Sequence, residues 1–123
     1  MSSHKFPVNH RLVHAHEFDR VFKECEFRIG NPALLFLAKP NHRGFNRLGM
    51  VVSKKSVPLA VDRNRIKRQI RETFRKTLTD TPVCLDVVVL TRSKVRTAEN
   101  LNGILADSFT NLLKRAENPG DKA

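Results

Sequence analysis

The chain has 123 residues, 40% of them hydrophobic, and its 23 Lys and Arg outweigh 12 Asp and Glu to give a formal net charge of +11. That apolar fraction supports a folded core rather than disorder, and the length suits one small domain, 1–123, whose charge calls for a polyanionic partner. No apolar run approaches the ~18 residues of a membrane span, and Trp and Tyr are absent, so any base stacking must use Phe, His or Arg.

Residues 1–13 read as a basic, His-containing arm without regular structure until it docks, and they lack the apolar stretch of a signal peptide. Residues 15–24 form a short helix with Phe18, Val21 and Phe22 on one face. A short strand is expected over 27–29. The apolar run 32–38, bounded by Gly30-Asn31 and Pro40-Asn41, suits a strand covered on both faces. After a turn at 41–46, residues 48–53 form a further strand. Ser56 as cap and Pro58 in the first turn start a long helix over 58–77, with Asp62 as an alternative cap. Thr79 to Pro82 breaks the chain, 83–91 is a strand centred on Val87 to Leu90, and 97–116 is a helix with Leu101, Ile104, Leu105, Phe109, Leu112 and Leu113 as its stripe. Residues 117–123 form a tail. This order, helix, strands, helix, strand, helix, defines an α+β domain. Cys25 and Cys84, far apart and with no Cys-x-x-Cys, read as reduced thiols of a cytosolic protein.

The long helix carries the functional signal. Seven of the fourteen residues from Arg63 to Lys76 are basic, while Ile66, Ile70 and Phe74 recur every four residues. At ~100° per residue the apolar trio spans about 80°, and Arg65, Lys67, Arg68, Arg71 and Arg75 lie opposite. An ordinary solvated face mixes charges, whereas here Glu72 alone interrupts the positive series. Such a face suits RNA phosphates. Catalysis by the protein itself finds little support: Asp62, Glu72, Asp80 and Asp86 are scattered, His4, His10, His14 and His16 lie in or near the arm, and His42 lies in a loop. Close-spaced zinc ligand pairs are also missing. A ribosomal or RNA-chaperone protein would share the charge, and a DNA reader would want base-reading side chains where this face offers Arg and Lys.

The block Gly49-Met50-Val51-Val52-Ser53-Lys54-Lys55, followed by Arg63-Asn64-Arg65-Ile66-Lys67-Arg68 and Arg71-Glu72-x-Phe74-Arg75, resembles the protein subunit of bacterial ribonuclease P. Glu17-Phe18-x-x-Val21-Phe22 and Asp86-Val87-Val88-Val89 extend the likeness over nearly the whole chain. The resemblance implies an α/β sandwich with an unusual left-handed strand-helix-strand crossover. It implies a cytoplasmic bacterial protein, one per catalytic RNA, that helps a Mg²⁺-dependent RNA remove the 5′ leader of precursor tRNA. Arg63, Asn64, Arg65, Lys67, Arg68 and Arg71 would face the catalytic RNA. Phe18, Phe22 and Phe36 would line the leader cleft, with Ser53, Lys54 and Lys55 at its rim and Arg92 and Lys94 as further cleft cations. Where family members often have basic residues, this chain has Val57-Pro58-Leu59-Ala60-Val61-Asp62.

Overall fold

The structure, a computed structural model, describes residues 11–12, 14–41, 43–78 and 84–117. Its elements in chain order are α1 (Ala15–Glu24), β1 (Phe27–Gly30), β2 (Leu34–Pro40), β3 (Arg47–Val51), α2 (Ala60–Leu78), β4 (Leu85–Thr91), a single 3-10 turn (Val95–Thr97) and α3 (Leu101–Glu117). The strands form one sheet in the order β1-β2-β4-β3, antiparallel except for the β3–β4 pair. The β3–α2–β4 unit therefore joins neighbouring parallel strands. Arg11 and Leu12 lengthen this edge: Arg11 bridges Leu48 in parallel, and the Leu12 amide donates to the Leu48 carbonyl at 2.9 Å. This end of the expected irregular arm is thus docked, and the arm before it lies outside the described residues.

Strand alternation splits the sheet into two faces. Phe36, Ala38, Leu48, Val87 and Val89 point toward α2 and α3, where Ile66, Ile70, Phe74, Leu105, Phe109 and Leu112 complete the main core. Three phenylalanines tie its elements together, with Phe109 edge-on to Phe36 at 5.2 Å and to Phe74 at 5.8 Å. Such pairs add about 0.5–1.5 kcal/mol each beyond simple burial. On the other face Leu37 and Val88 pack with Val21 of α1 and with Leu12. The sheet is thus sandwiched between α1 and the α2–α3 layer.

Element ends depart from the sequence reading for local reasons. β2 begins at Leu34 rather than 32 because the Asn31 carboxamide accepts from the Ala33 and Leu34 amides and holds a turn. Ser56 does not cap α2; its amide donates to Ser53 Oγ in a turn at 54–56, and the Leu59 carbonyl receives the Asp62 and Arg63 amides where the helix starts. α3 starts at Leu101, not 97, because Thr97 closes the 3-10 turn and Asn100, at φ 54°, accepts the Gly103 amide on its side chain. Buried Asn46 fastens the far end of α2, donating to the Leu78 carbonyl at 2.6 Å while accepting from the Leu85 amide at 2.6 Å.

Candidate nucleic-acid interface

Cross-strand register arranges the α1 face of the sheet in rows. The first is Lys39, Asp86 and Arg47; the second is Leu37, Val88 and Gly49; the third is Leu35, Leu90 and Val51. α1 lies over the first two. Its Glu17 pairs with Arg47 at 2.7 Å and its Glu24 with Lys39 at 3.6 Å, fixing one flank of the helix to the first row. Phe18 covers Gly49 so closely that a Cβ there would stand 2.6 Å from the ring. Phe22, five residues after Glu17 and hence ~140° around the helix, lies on the flank away from the first row, toward the third. Among the described residues that row is left open: Leu35 and Leu90 are half-buried, Val51 is exposed, and Phe22 is 41% exposed. The result is an apolar floor with an aromatic wall, and Phe18 and Phe22 stand 6.5 Å apart at a tilt of 46°.

An ion network fixes that wall. Arg47 donates through Nε and Nη2 to both Asp86 oxygens, at 2.8 and 2.7 Å, and through Nη1 to Glu17 Oε2 at 2.7 Å. Asn41 adds a 2.8 Å hydrogen bond to Asp86 Oδ1. The hydrogen bonds and charge of Asp86, helped by Glu17, raise the Arg47 pKa above its ordinary value despite burial. The bidentate Arg47–Asp86 pair thereby ties β3 to β4, and the single Arg47–Glu17 bond ties α1 to both.

The buried stripe of α2 is Ile66, Ile70, Phe74 and Leu78. At ~100° per residue its polar surface divides into an outer flank with Asn64, Lys67, Arg68, Arg71 and Arg75, and a second flank with Arg65 and Gln69. Asn64 and Arg68 are exposed; Lys67 and Arg71 are half-buried. Burial, with the neighbouring charges of Arg11 and Arg68, lowers the Arg71 pKa, while Glu72 opposes the shift. Like charge is therefore held together here, as an anion-binding surface requires. The second flank faces a groove of about 1060 Å³ between α2 and the segment leading into α3.

The match to the Ribonuclease P family model runs over residues 6–117. The chain belongs to the ribonuclease P protein family. It is 43% identical over 100 residues to the ribonuclease P protein component of Chromohalobacter salexigens, covering 81% of this chain and 77% of that one. To the Ectopseudomonas mendocina protein component it is 44% identical over 115 residues, covering 94% and 84%. Among solved structures, the RNase P protein of Staphylococcus aureus superposes with a TM-score of 0.65 at 27% identity, covering 91% of this chain and 95% of that one. That of Thermotoga maritima gives 0.65 at 30% identity, covering 85% and 96%. This chain is accordingly a ribonuclease P protein subunit, serving RNA binding and tRNA 5′ processing.

The geometry corrects parts of the expected ribonuclease P site. Phe36 is fully buried on the α2–α3 face against Phe109, so it is core and does not share a cleft with Phe18 and Phe22. Lys94 lines an apolar pocket with Pro32 and Ile104 on the α3 side, away from the α1 cleft. Arg92 follows Leu90 on the α1 face by alternation, and its Nη1 donates to the Asn31 carbonyl at 3.1 Å, beside Gly30. Ser53 shapes the rim turn through a 2.9 Å hydroxyl–hydroxyl bond to Ser56, while Lys54 and Lys55 are exposed on it. Arg63 holds the start of α2, its Nη1 donating to the Val57 and Pro58 carbonyls at 3.0 and 2.8 Å. Arg65 is exposed and pairs with Asp62 at 3.1 Å.

Arg47, Asn41 and Asn46 escaped sequence reasoning because their partners are distant in sequence and no periodic pattern marks them. As for magnesium, the described residues contain no group of three His, Cys, Asp or Glu placed to hold a metal. On the α1 side, the Glu17 and Asp86 carboxylates both face the Arg47 guanidinium. Engaged with Arg47, these two carboxylates do not fit a cation.

Proposed function

We propose that α2 docks on the catalytic RNA of ribonuclease P through Asn64, Arg65, Lys67, Arg68 and Arg71, with Arg63 shaping the start of that helix. The α1 cleft holds the single-stranded 5′ leader of precursor tRNA, with Phe22 and Phe18 stacking on bases and Lys54 and Arg92 following the backbone. The observation that carries this reading is the open third row. An aromatic serving only as core would be covered, yet Phe22 is 41% exposed over an apolar floor that nothing in the fold closes among the described residues. Stacking faces flanked by cations hold single-stranded RNA whatever its sequence. Mg²⁺ and the hydrolytic chemistry belong to the RNA in this reading, one protein serves one RNA, and the setting is the bacterial cytoplasm.

The test compares RNA-free protein with protein reconstituted on its catalytic RNA in Mg²⁺, each given precursor tRNA. Cleavage at the mature 5′ end is expected only from the reconstituted enzyme. Specific cleavage by protein alone would overturn the division of labour.

A further inference from the structure

The groove beside α2 is not part of the leader cleft. It opens on the α2–α3 side of the sheet, whereas the cleft lies on the α1 side. Lys55, Arg65 and Arg96 bring three cations to its walls, and its one carboxylate, Asp62, is already paired with Arg65. Between the helices, Gln69 Nε2 donates to Asn102 Oδ1 at 3.2 Å. Both residues line the groove, and that bond uses neither the Gln69 side-chain oxygen, an acceptor, nor the Asn102 side-chain amino group, a donor. Ile66 and Leu101 give it an apolar floor.

We infer that this groove is a second RNA-binding surface, taking a strand of the catalytic RNA with phosphates on Arg96, Lys55 and Arg65 and an unpaired base against the Gln69–Asn102 amide pair. The inference rests on the docking of α2 proposed above and extends it to residues after β4. Three features select the occupant. At about 1060 Å³ the space lies at the upper limit of small-ligand pockets, about 300–1,000 Å³, but such pockets are mainly apolar and this one is walled by cations and amides. The amide pair offers the complementary donor and acceptor by which Asn and Gln engage base edges. Arg65 lies only ~60° around α2 from Arg68, so a strand on the outer flank can continue into the groove without leaving the helix. A leader held against α1 would have to cross the sheet to reach it.

Arg96 and Asn102 are both exposed, so their truncation leaves the fold intact, which a thermal melt verifies. With full-length protein and catalytic RNA, Arg96→Ala is expected to weaken assembly and to flatten the log K versus log salt slope by about 0.7–0.9. Asn102→Ala is expected to weaken assembly roughly 2- to 12-fold with the slope unchanged, as for a lost uncharged hydrogen bond. Arg68→Ala serves as the reference for α2 docking. If Arg68→Ala weakens assembly while Arg96→Ala and Asn102→Ala leave affinity and slope at wild-type values, the groove assignment fails and α2 docking stands. If all three are silent, both fail. A loss confined to precursor over mature tRNA binding by the assembled enzyme would give the groove to the leader and overturn the proposal.

Discussion

Arg47 sets the position of α1 because three elements meet on its guanidinium: Glu17 of α1, Asp86 of β4 and its own strand β3. Removing one member of so buried a pair leaves the others uncompensated, so Arg47→Ala is expected to cost about 3–5 kcal/mol of stability in chemical denaturation. A loss below about 1 kcal/mol would contradict the buried network. Phe36 and Phe22 separate the two uses of an aromatic side chain. Phe36→Ala removes a fully buried ring and is expected to cost about 3–5 kcal/mol, whereas Phe22→Ala, at an exposed position, should leave the melt nearly unchanged. Equal destabilisation by the two would remove the distinction between core and cleft. The wholly apolar run around Phe36 already leaned toward core while Phe22 sits beside Lys23 and Glu24, yet the resemblance put both in one cleft; the face of the sheet decides.

At the scale of the element, the RNA docking proposed for α2 opposes stability. Burial, followed by the charges of Arg11 and Arg68, lowers the Arg71 pKa, and Arg68 stands only three residues away on the same flank. Arg68→Gln is therefore expected to stabilise the RNA-free protein by about 0.2–0.5 kcal/mol while weakening its grip on the catalytic RNA, a pair of opposite effects read by a denaturation curve and a binding isotherm. A variant that loses affinity and stability together would show Arg68 to be structural. This helix was legible in the sequence because an apolar residue every fourth position and a nearly unmixed charge series both act within one element. Its starting point was not, since Ser56 looks like a cap but is held by Ser53 across the turn. Gly49 was likewise read as part of a motif, while the fold uses its missing side chain as the seat of Phe18. Gly49→Ala is expected to displace that ring and cost about 1–3 kcal/mol, measured by denaturation. No loss would mean that Phe18 moves aside freely.

Across the whole molecule, the sheet separates the two proposed RNA surfaces, with the leader cleft on the α1 side and the cations of α2 with the adjoining groove on the other. Chain order and the α+β class followed from periodicity, but this two-sidedness depends on register. The pairing of Val51 and Leu35 with Leu90 is what gathers three strands into one open floor beside Phe22. The central claim is that this floor distinguishes precursor from mature tRNA by gripping the leader. The most direct test is the ratio of precursor to mature tRNA affinity for enzyme reconstituted with wild-type or Phe22→Ala protein. Loss of one base stack is expected to weaken precursor binding by about 1–3 kcal/mol and leave mature tRNA binding unchanged, so the ratio falls. An unchanged ratio, or equal weakening of both tRNAs, would contradict the account.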